Sequence, residues 1–263
     1  MWCPMPAVAT VHDVAWLKTQ RHTRAYARYY FGRFALRRYQ HALAIAVDSA
    51  FSRAELLNVL SVRQERVHVV YPGVAAEFGS LRRVAGGRFI LVPGTVERRK
   101  NLEVLLRALP GMEDVRIVTV GPHTTYRAEC ERLAAKLGVR DRVEFRGYVP
   151  RDQLLYLYAT CALVAVPSRY EGFGYAAAQA LCAGVPLVVS DQSSLPEVVD
   201  GAAAMASPDD ETQWRRAIAA IMNDPQSAQR HADSQRARAI TRFSWESSAS
   251  GMLRVYESAL ENR

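Results

Sequence analysis

The sequence runs to 263 residues, 49% apolar and 23% charged, a balance that excludes a disordered or fibrous chain and supplies ample material for a buried core. Its formal net charge of +8 rests on arginine, since Lys18, Lys100 and Lys136 are the only lysines; such a charge suits phosphorylated substrates, anionic membranes or nucleic acid and by itself separates none of them. Cys3, Cys130, Cys161 and Cys182 form no CxxC pair, and neither a signal peptide nor an uninterrupted membrane span is visible, so a reduced, cytoplasmic setting is expected.

At the amino end, Ala7–Val11 reads as a strand, Thr23–Gln40 as a helix and Leu43–Val47 as a strand; a helix follows from Ser52, and VHVVY, ending before Pro72, is a third strand. The first helix region carries Arg21, Arg24, Arg28, Arg33, Arg37 and Arg38 among tyrosines and phenylalanines, with no acidic residue. Two readings stand: a peripheral helix on an anionic membrane, or an ordinary domain helix with solvated arginines. A boundary is expected between Gly73 and Gly87.

From Arg88 onward, FILVPG, VRIVTVG, VEFRGYV, ALVAVPS and PLVVS alternate with helical patterns. Continuous apolar runs of this length imply strands covered on both faces, hence a parallel, Rossmann-like α/β sheet. Leu102, Leu105, Leu106 and Leu109 repeat at helical spacing behind Asn101, a candidate N-cap. Pro208, Asp209 and Asp210 open another helix, and a last one is expected from Ser244 to Leu260.

Two turns carry chemistry. In PGTVERRKN, Gly94 permits a tight turn, and Arg99 and Lys100 place two cations at a strand end, where phosphates would be neutralised. A solvated basic turn is the plainer alternative, but the glycine and the following helix favour an anion site. In PSRYEGFGYAAAQALCAGVP, Gly172 and Gly174 bracket Phe173 and let the backbone approach a ligand, while the amides opening the next helix favour negative charge.

The stretch RYEGFGYAAAQALCAGVPLVVSDQSSLPEVV resembles the signature of retaining GT-B glycosyltransferases of family 4; GTVERRKN resembles their GTxExRKN turn, and VATVHD the segment bearing their active-site histidine. The three occur in the family's order, and the likeness covers essentially the whole chain. It implies an α/β fold of the GT-B type, with one complete Rossmann-like domain and an incomplete second one. Residues 1–78 would be a remnant of the acceptor-side domain, 79–243 the donor-binding domain, and 244–263 a helix crossing back.

By the same resemblance, Arg99 and Lys100 hold the donor diphosphate, Glu171 and the amides of Phe173, Gly174 and Tyr175 meet donor sugar and phosphates, and His12 faces the transferred sugar. Gly121 would let the backbone approach the donor, with Tyr148 and Val149 bordering the base. Where the family has a second glutamate for the ribose hydroxyls, this chain has Gln179; a neutral amide in place of a carboxylate would cost about 1 kcal/mol of donor affinity.

The implied substrate is a nucleotide-sugar, GDP-mannose in preference to a UDP-sugar, and the implied acceptor a glycan or lipid-linked molecule. No resident cofactor, metal or nucleic-acid partner is expected, and no DxD pair stands at a strand end. By the resemblance, the early strands of the family's first domain are expected to be missing, which implies a fragment, a late start, a partner chain that supplies the rest or a decayed gene, with an exposed sheet edge as the physical consequence. A nucleotide-binding protein without transfer activity is the rival reading. A nicotinamide dehydrogenase ranks low because no GxGxxG follows a first strand.

Overall fold

The computed structural model describes residues 6–15, 36–84, 86–112 and 114–261. They form two units, one of Met1–Gly73, Glu171–Phe173 and Phe243–Arg263, the other of Val74–Tyr170 and Gly174–Arg242.

In the first unit, β1 (Val8–Val11), β2 (Ala44–Val47) and β3 (Val67–Val69) form a parallel sheet in that order, with Val8 opposite Ala44 and Ile45 opposite Val67. Every residue of β2 is buried, as a central strand with two covered faces requires. One face packs Val11, Ile45, Val47 and Val67 against Leu56 and Leu60 of and beside α2 (Ala50–Val59). The other sets Ala44 against Val255 and Ala259 of the carboxyl-terminal helix, Trp245–Glu261. That helix lies close because Gly251 has no side chain; a Cβ there would stand 2.9 Å from Val70 Cγ1. Its outer face leaves Trp245, Leu253, Tyr256 and Leu260 exposed.

Ser49, directly after β2, caps α2: its backbone is extended at φ −158°, and its side-chain oxygen accepts from the Ser52 amide, satisfying one of the helix's open donors. Most of the helix expected over Thr23–Gln40 lies outside the described residues. Its described end is α1 (Leu36–His41).

The second unit has a six-stranded parallel sheet: β4 (Phe89–Pro93), β5 (Arg116–Val120), β6 (Val143–Phe145), β7 (Leu163–Val166), β8 (Leu187–Ser190) and β9 (Ala204–Ala206). In space the order is β6-β5-β4-β7-β8-β9, the doubly wound arrangement whose direction reverses between β4 and β7. Ligands of open parallel sheets bind outside the carboxyl ends of the strands at such a reversal, so a ligand is expected at the turns after β4 and β7. They are the two turns singled out in the sequence.

After α3 (Ala76–Gly79), helices α4 (Leu102–Ala108), α5 (Tyr126–Lys136), α6 (Arg151–Thr160), α7 (Tyr175–Cys182) and α8 (Leu195–Val199) follow in chain order. Next come α9 (Glu211–Asn223) and α10 (Pro225–Arg242), with Trp245–Glu261 numbered α11. Leu105 and Leu106 of α4 and Trp214 and Ile218 of α9 belong to one core with Ile90, Ile117 and Leu163 of the sheet. Helix α9 starts where the sequence placed it, with the Asp210 carboxylate accepting from the Thr212 and Gln213 amides. Ala177, Ala178 and Ala180 are fully buried, and their small side chains let α7 pack against β7, β8 and α10.

Cys130, Cys161 and Cys182 are free and buried. Burial pushes their thiols up to about 11, about 11 and about 12, which keeps them protonated near neutrality. No helix among the described residues is long and apolar enough to cross a membrane.

Candidate functional site

In the second unit, the ends of β4, β5 and β6 are tied by a chain of glycine contacts. The Gly94 amide donates to Val120 O at 2.7 Å, and the Gly121 amide to Gly147 O at 2.8 Å. All three glycines have positive φ, 121°, 137° and 71°, a region costly for other residues. A Cβ on Gly121 would lie 2.4 Å from Gly94 O. Gly121 therefore admits the backbone of the neighbouring turn. Gly147 escaped the sequence reading altogether.

The two cations expected at the phosphates have different surroundings. Arg99 is committed to the turn itself: its guanidinium contacts Glu97 Oε1 at 2.8 Å and donates to Tyr170 O at 2.9 Å, while its own carbonyl accepts from the Arg169 amide. It fastens the β4 turn to the β7 turn. Lys100 runs across Gly94, its Nζ 3.7 Å from where a Cβ of that glycine would sit, so a cation lies against bare backbone at the end of β4. Arg98 pairs with Glu129 and covers the ring of Tyr126.

Asn101 occupies the N-cap position of α4, but its side chain does not cap the helix. Fully buried and left-handed at φ 53°, it donates through Nδ2 to Pro167 O at 3.1 Å and Pro208 O at 2.8 Å. It joins the β4 turn to the loops after β7 and β9, a long-range task that spacing along the chain does not display.

Helix α7 opens on Gly174 at φ 98°, where a Cβ would meet Leu195 Cδ2 at 2.7 Å. Gly174 supplies no capping side chain, and the positive end of the helix dipole suits an anion. Tyr175, the first helical residue, is half exposed, Tyr148 is well exposed and Val149 half-buried. Gln179 is engaged inside the protein: its Oε1 accepts from the hydroxyl of Tyr158, a fully buried residue, at 3.0 Å.

His123, to which the sequence gave no role, stands just past β5, its Nδ1 2.8 Å from Arg127 Nη1. Burial, and the Arg127 charge after it, hold its pKa below the usual imidazole value. A cavity of about 1020 Å³ opens at the opposite, amino ends of the strands, lined by Arg83, Arg88, Met112, Ala162, Pro186 and Met222 among others. Of these only Pro186, the last residue of the second turn's motif, belongs to the motifs.

In the first unit, Glu171, Gly172 and Phe173 are all buried. Phe173 packs on Tyr71 and Phe243, ring centroids 6.0 and 5.5 Å away. The Gly172 carbonyl accepts from Ser49 Oγ at 2.6 Å and Ser52 Oγ at 2.9 Å. A Cβ on Gly172 would lie 2.5 Å from His12 O, so glycine is needed to bring the two backbones together. The His12 carbonyl also accepts from Ser52 Oγ, and its Nδ1 is 2.8 Å from Asp48 Oδ2. Burial raises the Asp48 pKa, against the hydrogen bond and charge of His12. The sequence reading missed Asp48, Ser49 and Ser52, although all three stand at or just past the carboxyl end of β2, where the fold makes functional positions expected.

Residues 75–239 match the family model of glycosyl transferases group 1, and residues 2–78 that of Glycosyltransferase Family 4. The chain is 30% identical to the MMP alpha-(1->4)-mannosyltransferase of Mycolicibacterium hassiacum, over 97% of this chain and 66% of that protein. It is 33% identical to the D-inositol 3-phosphate glycosyltransferase of Xylanimonas cellulosilytica, over 84% and 58% respectively. It thus spans less than two thirds of the length of either relative. Among solved structures it is similar to sucrose-phosphate synthase from Thermosynechococcus elongatus, with TM-score 0.82, 24% identity and coverage of 97% and 68%. Anabaena HepE in complex with UDP and glucose gives TM-score 0.77, 22% identity and coverage of 96% and 71%. The fold is α/β with parallel sheets, of the GT-B type expected from the motifs.

Proposed function

The chain belongs to the glycosyl transferases group 1, and from that membership we propose that it moves a sugar from a nucleotide carrier to an acceptor hydroxyl. The observation that carries this reading is the pair of turns flanking the strand-order reversal: Lys100 lies against bare Gly94 after β4, and α7 opens on Gly174 after β7. Together they offer a cation and a helix dipole to a diphosphate. Arg99 contributes second-hand, by holding the two turns in register.

As the bond from the anomeric carbon to the leaving phosphate breaks and the acceptor oxygen bonds to that carbon, negative charge grows on the phosphate. Lys100 and the first amides of α7 stabilise that charge. The acceptor forms its bond on the face the phosphate leaves, giving retention, and the departing phosphate takes the acceptor's proton, so no protein base is assigned. His12 and Glu171 meet the transferred sugar. Tyr148 and Val149 border the base. GDP-mannose is the favoured donor because the chain is similar to mannosyltransferases of Mycolicibacterium hassiacum and Escherichia coli; a UDP-sugar is the alternative, since the Anabaena structure holds UDP. The acceptor is a glycan or a lipid-linked molecule, and a partner chain or a peripheral membrane contact belongs to the same proposal.

The rival, nucleotide binding without transfer, draws on Gln179, whose oxygen is taken by Tyr158. Nucleotide release from GDP-mannose and UDP-sugars, with and without acceptor sugars, separates the two. Release above the spontaneous rate is expected; binding without release supports the rival, and neither binding nor release removes both. Gln179→Ala should weaken donor binding about fivefold, the loss of one hydrogen bond of about 1 kcal/mol, while Tyr158→Phe leaves affinity unchanged. Equal affinity of Gln179→Ala and the parent would take ribose binding away from Gln179.

A further inference from the structure

The His12–Asp48 pair has an unusual distribution of exposure. The Asp48 side chain is 11% exposed and that of His12 77%. Asp48 bonds only to His12 among the described residues, and burial disfavours its charge. A buried carboxylate with a single partner adds little to folding stability, and a ring so exposed contributes little packing. What the contact does fix is the direction in which an exposed imidazole points.

The loop after β2 and the first turn of α2 hold both parts of this histidine. Ser52 Oγ bonds to the His12 carbonyl and, with Ser49 Oγ, to Gly172 O, which anchors the backbone. Asp48 then anchors the ring. A carboxylate can only accept, so Nδ1 must carry the hydrogen and, in the neutral ring, Nε2 must carry none.

We propose that Asp48 is a positioning residue: its carboxylate holds His12 in the Nδ1–H tautomer and presents Nε2 as a hydrogen-bond acceptor to a hydroxyl of the transferred sugar. The sugar as occupant rests on the function proposed above; the tautomer does not. Removing the outer carboxylate from a functional histidine costs about tenfold to a hundredfold where it has been measured at metal sites, and a loss of that order in kcat is expected for Asp48→Asn, with donor affinity nearly unchanged.

The test uses the full chain in two measurements. Long-range proton–nitrogen spectra of the neutral ring, with the His12 signals identified by their loss in His12→Gln, should show Nδ1–H in the parent and a shift toward Nε2–H in Asp48→Asn, whose amide can donate to Nδ1. An Nε2–H ring in the parent overturns the proposal whether or not the chain turns over donor. In kinetics, Asp48→Asn should reduce kcat in the parent background and have no further effect on His12→Ala. An equal loss in both backgrounds would make Asp48 merely structural and overturn its action through His12. A parent that binds no donor would defeat the sugar assignment together with the proposed function, leaving the spectra to decide the tautomer.

Discussion

Lys100→Ala is expected to raise the dissociation constant for the nucleotide-sugar by about tenfold to a hundredfold. A charge-assisted hydrogen bond to phosphate contributes about 1.5–3 kcal/mol, and each 1.4 kcal/mol is about tenfold in affinity. The lysine lies over Gly94 at the end of β4, outside the buried cores. Arg99→Ala should lower stability as well as affinity, since that guanidinium holds Glu97 and the Tyr170 carbonyl. Calorimetric titration of both variants, alongside their thermal unfolding, checks both expectations. Unchanged affinity in Lys100→Ala would remove the lysine from the phosphate site.

Gly121→Ala should be the most destabilising of the single substitutions considered, by about 3 kcal/mol, from overpacking and backbone strain together. For a chain of this size that corresponds to a fall in Tm of roughly 10 °C. The methyl would enter at 2.4 Å from Gly94 O, on a backbone at φ 137°. Gly111→Ala separates the two causes, because Gly111 is also left-handed, at φ 85°, but its added carbon meets nothing within 4 Å. It should cost about 1 kcal/mol, the strain alone. Equal melting temperatures for the two variants would show that the approach of the β4 and β5 turns is not tight. A displaced Gly94 should also weaken donor binding in Gly121→Ala.

The same contrast between local and distant causes explains what the sequence displays. Strands β4, β5, β7 and β8 are legible because a central parallel strand must be apolar on both faces, and Phe89–Pro93 and Leu163–Val166 are continuous apolar runs. Strand β9 is not, being only Ala-Met-Ala. Helix α10 is hard to see for the opposite reason: among its residues only Ala232 and Ala239 are buried, so it has no broad apolar stripe. The motif turns stood out by composition. The partners of their side chains did not, since Asn101 reaches Pro208 and Arg99 reaches Tyr170 across many residues of chain.

Asp48 illustrates the same point in the first unit, 36 residues from His12 in sequence and bonded to it in the fold. Its place just past β2 was the one available signal. The sequence makes Gln179 a weakened ribose ligand, and the structure adds a competing partner, the Tyr158 hydroxyl. The Arg-rich stretch before residue 36 lies outside the described residues, and its two readings stand as the sequence left them.

The proposed transfer requires a diphosphate at the carboxyl ends of β4 and β7. In crystals of the chain grown with GDP, and in others grown with UDP, phosphate oxygens are expected within hydrogen-bond reach of Lys100 Nζ and the first amides of α7. A diphosphate seated instead in the cavity at the amino ends of the strands, beside Arg83 and Arg88, would contradict it.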